Sequence, residues 1–331
     1  MNNGNKRTTK IVVVIPMFRV KNNIFKVVSA IDDHVWKIYA VDDACPEKSG
    51  DYLESICKDP RLIILRHDFN QGVGGAMITG YKAAIKDGAH IIVKIDGDGQ
   101  MDPKILHRFT RPIMHGIADY TKGNRFYDLK TVLKMPKVRL FGNSVLSFFN
   151  KISSGYWNTF DPTNGYTAIS AAVARHISLE SVSCRYFFES DMLYHLNITR
   201  AVVMDIPMDA FYGEEISNLR ISNVLFNFLF SHFRNMLKRV FIEYYIRDFS
   251  LASIELPLGF VMAVSGVAYG SLNWIKFSSN GVTTPAGTVM LSAVLLLLGV
   301  QFIMAFISYD ISSVPTQTIS IKLTDDFDCD I

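Results

Sequence analysis

The segment that most constrains this chain runs from 91 to 103, Ile-Ile-Val-Lys-Ile-Asp-Gly-Asp-Gly-Gln-Met-Asp-Pro. Its β-branched start reads as a short buried strand, the kind that near-continuous apolar runs form in parallel sheets. The strand empties into Asp96 and Asp98, separated by one glycine. In extended chain, residues i and i+2 share a side, so the two carboxylates are expected to converge, with Gln100 continuing that side. Three oxygen donors at the carboxyl end of a strand suit Mg²⁺ or Mn²⁺. That edge is also where open α/β sheets bind ligands. A solvated turn would use Asp and Gly for conformational reasons alone, so the rest of the chain has to decide.

Residues 10–130 alternate strand and helix signals. Strands are predicted at 10–16, 38–42, 61–66 and 91–95, and helices at 22–33, 49–57 and 73–86. Further strands are expected at 119–123, 166–170 and 201–206. Such alternation implies right-handed βαβ units and a mostly parallel sheet. The Gly-rich turn at 70–75 follows the third strand and lacks GxGxxG spacing, which argues against a dinucleotide fingerprint. It suits a close approach of backbone to a ligand or to a neighbouring loop.

The charge balance of +3 over 331 residues gives no sign of a nucleic-acid partner. Cys45, Cys57, Cys184 and Cys329 have neither CxxC spacing nor disulfide density, as expected in a reducing compartment. The apolar run at 11–18 is only strand-length and is closed by Arg19 and Lys21, unlike a signal peptide. Hydrophobicity concentrates late instead. Residues 256–275 and 277–309 are nearly free of charge, and each is long enough for a span of roughly 20 residues. Before them, 222–247 is amphipathic and basic, a pattern that lies well in a membrane interface. Lys238, Arg239 and Arg247 precede the first span, so the positive-inside bias places the larger domain in the cytosol. The expected organisation is a catalytic domain at 1–220, an interfacial helix at 221–250, a two-span hairpin at 251–310 and an acidic tail at 311–331.

Several segments, in order, resemble the family 2 glycosyltransferases of GT-A fold, a Rossmann-like α/β fold. The likeness is greatest to membrane-anchored dolichol-phosphate mannose synthase-like and polyprenyl-phosphate enzymes. They are Ile15-Pro16-Met17-Phe18, Val41-Asp42-Asp43, Asn70-Gln71-Gly72-Val73-Gly74, Asp96-Gly97-Asp98-Gly99-Gln100, Lys122-Gly123-Asn124-Arg125 and Asp161-Pro162-Thr163-Asn164-Gly165-Tyr166. The chain departs at Arg19-Val20, where relatives commonly carry Asn-Glu.

The resemblance implies that Asp96, Asp98 and Gln100 hold a divalent ion against the diphosphate of a nucleotide sugar. Pro16, Phe18, Asp42, Asp43, Asn70 and Gly72 would line the nucleotide, and Arg125 would reach phosphate oxygens. Asp42 and Asp43 also suit turn caps. Glu189 and Asp191 resemble the acidic segment that supplies a base to hydroxyl acceptors, although carboxylates also favour a helix start. Ser217 and Arg220 lie in a stretch like the loop that closes over the diphosphate. Arg139 and Asn143, on a helix with basic residues at its entry, could receive a lipid phosphate, or that helix could simply pack on the sheet.

The leading expectation is therefore a metal-dependent, inverting transferase working on polyprenyl phosphate at the cytosolic face of a membrane, with the bacterial inner membrane as its place. The runner-up transfers to a hydroxyl of a lipid-linked saccharide, with Glu189 or Asp191 as base. A catalytically silent nucleotide-sugar-binding module is a third reading, against which the intact Asp96, Asp98 and Gln100 set argues. A homo-oligomer stays open.

Overall fold

A computed structural model describes residues 9–127, 137–209 and 221–323, with backbone only at 137–139 and 221–225. The chain divides into two compact units, Met1–Met236 with Pro315–Ile331, and Leu237–Val314.

The first unit is built on a seven-stranded sheet among the described residues. Its strands are β1 (Ile11–Met17), β2 (Lys37–Asp42), β3 (Leu62–Arg66), β4 (Ile91–Lys94), β5 (Tyr120–Asn124), β6 (Thr167–Ser170) and β7 (Val203–Pro207). They lie in the order β3-β2-β1-β4-β6-β5-β7. Only β6 runs against the rest, pairing antiparallel with β4 and β5. It is the mixed, mostly parallel α/β sheet that the resemblance leads one to expect.

Strand periodicity explains how both faces are covered. Ile11, Val13, Ile15 and Met17 join a core with Val27 and Val28 of α1 (Ile24–Ser29), Leu53 of α2 (Ser49–Ile56), and Phe109 and Ile113 of α4 (Leu106–Met114). Val12 and Val14 point the other way and are equally buried, and α3 (Val73–Lys86) packs on β1 and β2. Because β6 is reversed, its first residue pairs with the last of β4, Thr167 with Lys94. The 161–166 loop is thereby delivered to the carboxyl edge of the parallel strands.

The rest of this unit comprises α5 (Lys137–Ser154), α6 (Ala171–His176), α7 (Phe188–Ile198) and α8 (Ile221–Phe241), which runs past the division. The described residues beyond 314, 315–323, group with this unit. Ile319 and Ser320 donate backbone N–H bonds of 3.0 and 2.8 Å to the fully buried Asp119 carboxylate, which also accepts one from Val202. Asp325, Asp326, Asp328 and Asp330 lie outside the described residues.

The second unit holds α9 (Leu251–Ser279) and α10 (Ala286–Ser312), both apolar and long enough to cross a membrane. Most of their apolar side chains are exposed, with only 22% and 11% of the most apolar windows buried, unlike the core helices of a soluble domain. They pack closely at Gly259, Gly266 and Gly299, where small residues let backbones approach. Ahead of them, Arg239 forms a bidentate ion pair with Asp310 at 2.6 and 3.0 Å, and Tyr244 donates to the same carboxylate.

Candidate active site

The strand predicted at 91–95 ends at Lys94, and Gly97 to Gly99 form a turn. The alternation rule for extended chain therefore stops short of the motif. Asp98 is held by the turn itself. Its Oδ1 accepts the Gln100 N–H at 2.9 Å, while its carbonyl accepts from Asn23 Nδ2 at 2.7 Å. Asp96 is held from beneath, with Oδ1 lying 2.7 Å from Lys94 Nζ.

Lys94 is a residue that sequence reasoning passed over. Its side chain is 1% exposed, and its ammonium also meets Glu189 Oε1 at 3.0 Å. Burial alone would lower its pKa, but the Asp96 and Glu189 carboxylates reverse that and raise it. The signal was present, since a lysine interrupts an otherwise apolar strand. Below it, burial pushes the Tyr81 phenol up to about 12, only partly offset by Lys94.

Glu189 and Asp191, two residues apart in α7, do different things. Glu189 reaches Asp96 through Lys94 and keeps a partly exposed side chain. Asp191 is buried, and its oxygens accept from Ser183 N–H and Asn235 Nδ2, each at 2.7 Å. Both of its oxygens are thus engaged by protein donors.

The aspartates after β2 build loops. Asp42 accepts from the N–H groups of Cys45 and Gly50 at 2.8 and 2.7 Å. Asp43 accepts from Gln71 and Gly72 N–H, each at 2.8 Å, and faces His67 Nδ1. Asp42 caps the loop that follows β2, whereas Asp43 reaches across to the Gly-rich turn and fastens it to the carboxyl edge. Asn70 lies in that turn, its side-chain amide 3.3 Å from the Asp43 carbonyl. Gly72 has φ +89°, and a Cβ there would stand 2.6 Å from the Cys184 carbonyl. The close approach is to a neighbouring loop, and Gly75 N–H donates to that carbonyl at 3.0 Å.

Arg125 turns its guanidinium to Asp161, with bonds of 2.8 and 2.7 Å. Pro16 is half-buried at the end of β1, and the exposed Phe18 ring carries the Arg19 guanidinium 5.4 Å from its centroid. Asn143 is half-exposed on α5, whereas the side chain of Arg139 and all of Ser217 and Arg220 lie outside the described residues.

The donor set left at the edge is two carboxylates and an amide. Among the described residues no three His, Cys, Asp or Glu side chains form a closed cage. Asp96 Oδ2 takes no hydrogen bond among the described residues, and a Cβ at Gly165 would collide with it while standing 2.5 Å from Lys94 Nζ. Two carboxylates and an amide, all oxygen donors and with Asp96 Oδ2 free of a hydrogen bond among the described residues, fit by their chemistry an ion that completes its shell with phosphate and water.

The family model described as Glycosyl transferase family 2 matches residues 12–178. A UDP-N-acetylglucosamine–dolichyl-phosphate N-acetylglucosaminyltransferase of Methanococcus voltae is 28% identical, over 69% of this chain and 96% of its own. An undecaprenyl-phosphate mannosyltransferase of Micrococcus luteus is 25% identical, over 64% of this chain and 88% of its own. Among solved structures, glucosyl-3-phosphoglycerate synthase from Mycobacterium tuberculosis with Mn²⁺, UDP and product superposes with a TM-score of 0.51. It is 15% identical, over 70% of this chain and 80% of that one, a likeness of fold.

Proposed function

This chain belongs to glycosyl transferase family 2, and from that premise we propose that it transfers a sugar from a nucleotide-diphosphate donor to polyprenyl phosphate at a membrane surface. The observation that carries the lipid half is the inverted character of α5. Its buried side is polar, with Ser147, Asn150, Ser153 and Ser154, while Phe141, Phe148 and Phe149 are exposed. In water that arrangement is backwards; against lipid it is the expected one. The helix α8 repeats it, burying His232 and Asn235 and exposing Phe226, Phe230 and Phe233. The two relatives act on dolichyl and undecaprenyl phosphates by name, which supports the same acceptor class here.

On the donor side, Asp96, Asp98 and Gln100 are the residues that would hold Mg²⁺ or Mn²⁺. The ion's chemistry is to neutralise charge on the departing diphosphate. The chain's own residues do the rest. Asp43 holds the Gly-rich turn against the carboxyl edge, and the Asp98 turn presents its carboxylate there. An acceptor phosphate oxygen, already ionised, attacks the anomeric carbon opposite the leaving group and inverts it. No protein base is then needed, which accords with Glu189 being tied to Lys94 and Asp191 to Asn235. The catalytic unit faces the cytosol, where nucleotide sugars are soluble, and in a bacterial cell the membrane is the inner one.

A second reading transfers to a hydroxyl of a lipid-linked saccharide. It is favoured by Glu189, whose carboxylate shares Lys94 with Asp96 and is still partly exposed.

The test is purified full-length protein in detergent, given a panel of radiolabelled sugar nucleotides with undecaprenyl phosphate or a lipid-linked saccharide. Label moving to the phosphate, abolished by chelator and by Asp98→Ala, is the expected result. Label moving only to the saccharide would favour the second reading, and full activity of Asp98→Ala in chelator would end the metal assignment.

A further inference from the structure

Lys94 stands where an apolar residue would cost less. Its strand neighbours Ile92 and Val93 are fully buried, and burying an ammonium is unfavourable unless its partners repay the lost hydration. Its partners are Asp96 Oδ1 at 2.7 Å and Glu189 Oε1 at 3.0 Å. The same ammonium and Asp96 Oδ2 both pack against Gly165, where a Cβ would stand 2.5 and 2.3 Å from them. A fixed positive charge therefore touches one of the carboxylates assigned to the divalent ion.

Resting on that assignment, we propose that Lys94 is a positioning residue that couples metal binding to donor binding. Its ammonium occupies one oxygen of Asp96 and offsets part of the carboxylate charge. A divalent cation arriving alone meets a site that is too nearly neutralised to hold it well. A nucleoside diphosphate brings the missing negative charge, so ion and donor bind tightly only together. Glu189 is the counterweight, drawing the ammonium partly off Asp96.

Mn²⁺ binding to the full-length protein in detergent, measured by electron paramagnetic resonance with and without UDP as probe, tests this without a turnover assay. Lys94→Met removes the charge at similar length and should tighten binding of Mn²⁺ alone by about tenfold or more while shrinking the gain from UDP. Lys94→Arg keeps the charge and should stay within about threefold of the parent. Glu189→Gln should weaken binding of Mn²⁺ alone, because the ammonium then leans wholly on Asp96.

A packing role would loosen Mn²⁺ in every variant, so unchanged or weaker binding in a folded Lys94→Met protein overturns the proposal. Should Lys94→Met fail to fold, Glu189→Gln decides, and unchanged or tighter binding there overturns it equally. Asp98→Ala separates the two levels. If it leaves Mn²⁺ binding intact, the metal site itself is misassigned; if it abolishes binding, the Lys94 variants judge this inference alone.

Discussion

Asn235 of α8 donates a 2.7 Å hydrogen bond to Asp191 of α7, inside the catalytic unit. The bond ties up one oxygen of a carboxylate in the segment that resembles a catalytic base. Asp191 also receives the Ser183 N–H, and the adjoining Cys184 carbonyl accepts from Gly75 at the start of α3. A polar path thus runs from the aromatic-faced helix to the Gly-rich turn that Asp43 anchors.

The first prediction separates the two acidic residues of α7. Asp191→Asn can keep only one of its two acceptor bonds, whichever way its amide turns, and should cost about 1–3 kcal/mol of stability. Activity per folded molecule should barely change. Glu189→Gln should lower turnover on polyprenyl phosphate by less than about tenfold, below the general-base range. Melting curves and single-turnover rates read the two effects. A thousandfold rate loss in Glu189→Gln, with nucleotide affinity unchanged, would move the assignment to a hydroxyl acceptor.

Acid should weaken the fold through His232. Burial pushes its imidazole from 6.5 down to about 4, against the pull of Asp191. The unfolded chain therefore takes up a proton that the folded one refuses, and stability falls as pH drops below the unfolded value. Between pH 7 and pH 5 the loss should be about 2 kcal/mol. His232→Phe removes the titrating group, so its unfolding free energy should change less over the same interval. Parallel pH profiles for the two proteins would contradict this.

The aromatic face of α5 should matter for the lipid and not for the nucleotide. Phe141→Ser and Phe148→Ser each remove an exposed aromatic, and burial of one such side chain in lipid contributes about 1.5–3 kcal/mol. The KM for polyprenyl phosphate should rise about tenfold or more in the double variant, with UDP affinity unchanged. Equal KM values would show that this face does not meet the acceptor's membrane.

Removal of residues 315–331 should destabilise the catalytic unit. Asp119 would lose the Ile319 and Ser320 donors and keep Val202, leaving a buried carboxylate underbonded at a cost of about 1–3 kcal/mol. A melting temperature unchanged by the deletion would show that the returning segment contributes nothing.

The sequence by itself determined the strands, the order of the α/β units and the two long apolar helices. These follow from periodicity and run length, which are local. The helix pattern at 73–86 coincides with α3, and the strand patterns at 119–123, 166–170 and 201–206 lie within a residue or two of β5, β6 and β7. The turn after β4 is also a local signal, Asp and Gly after an apolar strand.

Tertiary structure decided which carboxylates are engaged and by what. Asp42 holds the loop after its own strand, while Asp43 holds a turn 28 and 29 positions away, a pairing that chain order does not reveal. Arg125 found Asp161 across 36 residues, and Lys94 found Glu189 across 95. The inverted faces of α5 and α8 were likewise hidden, since a helical stripe has two sides and only packing reveals which one is covered. A charged side chain's role depends on what lies within about 4 Å of it in a low-dielectric setting. That neighbourhood is assembled by the sheet order, not by the chain order.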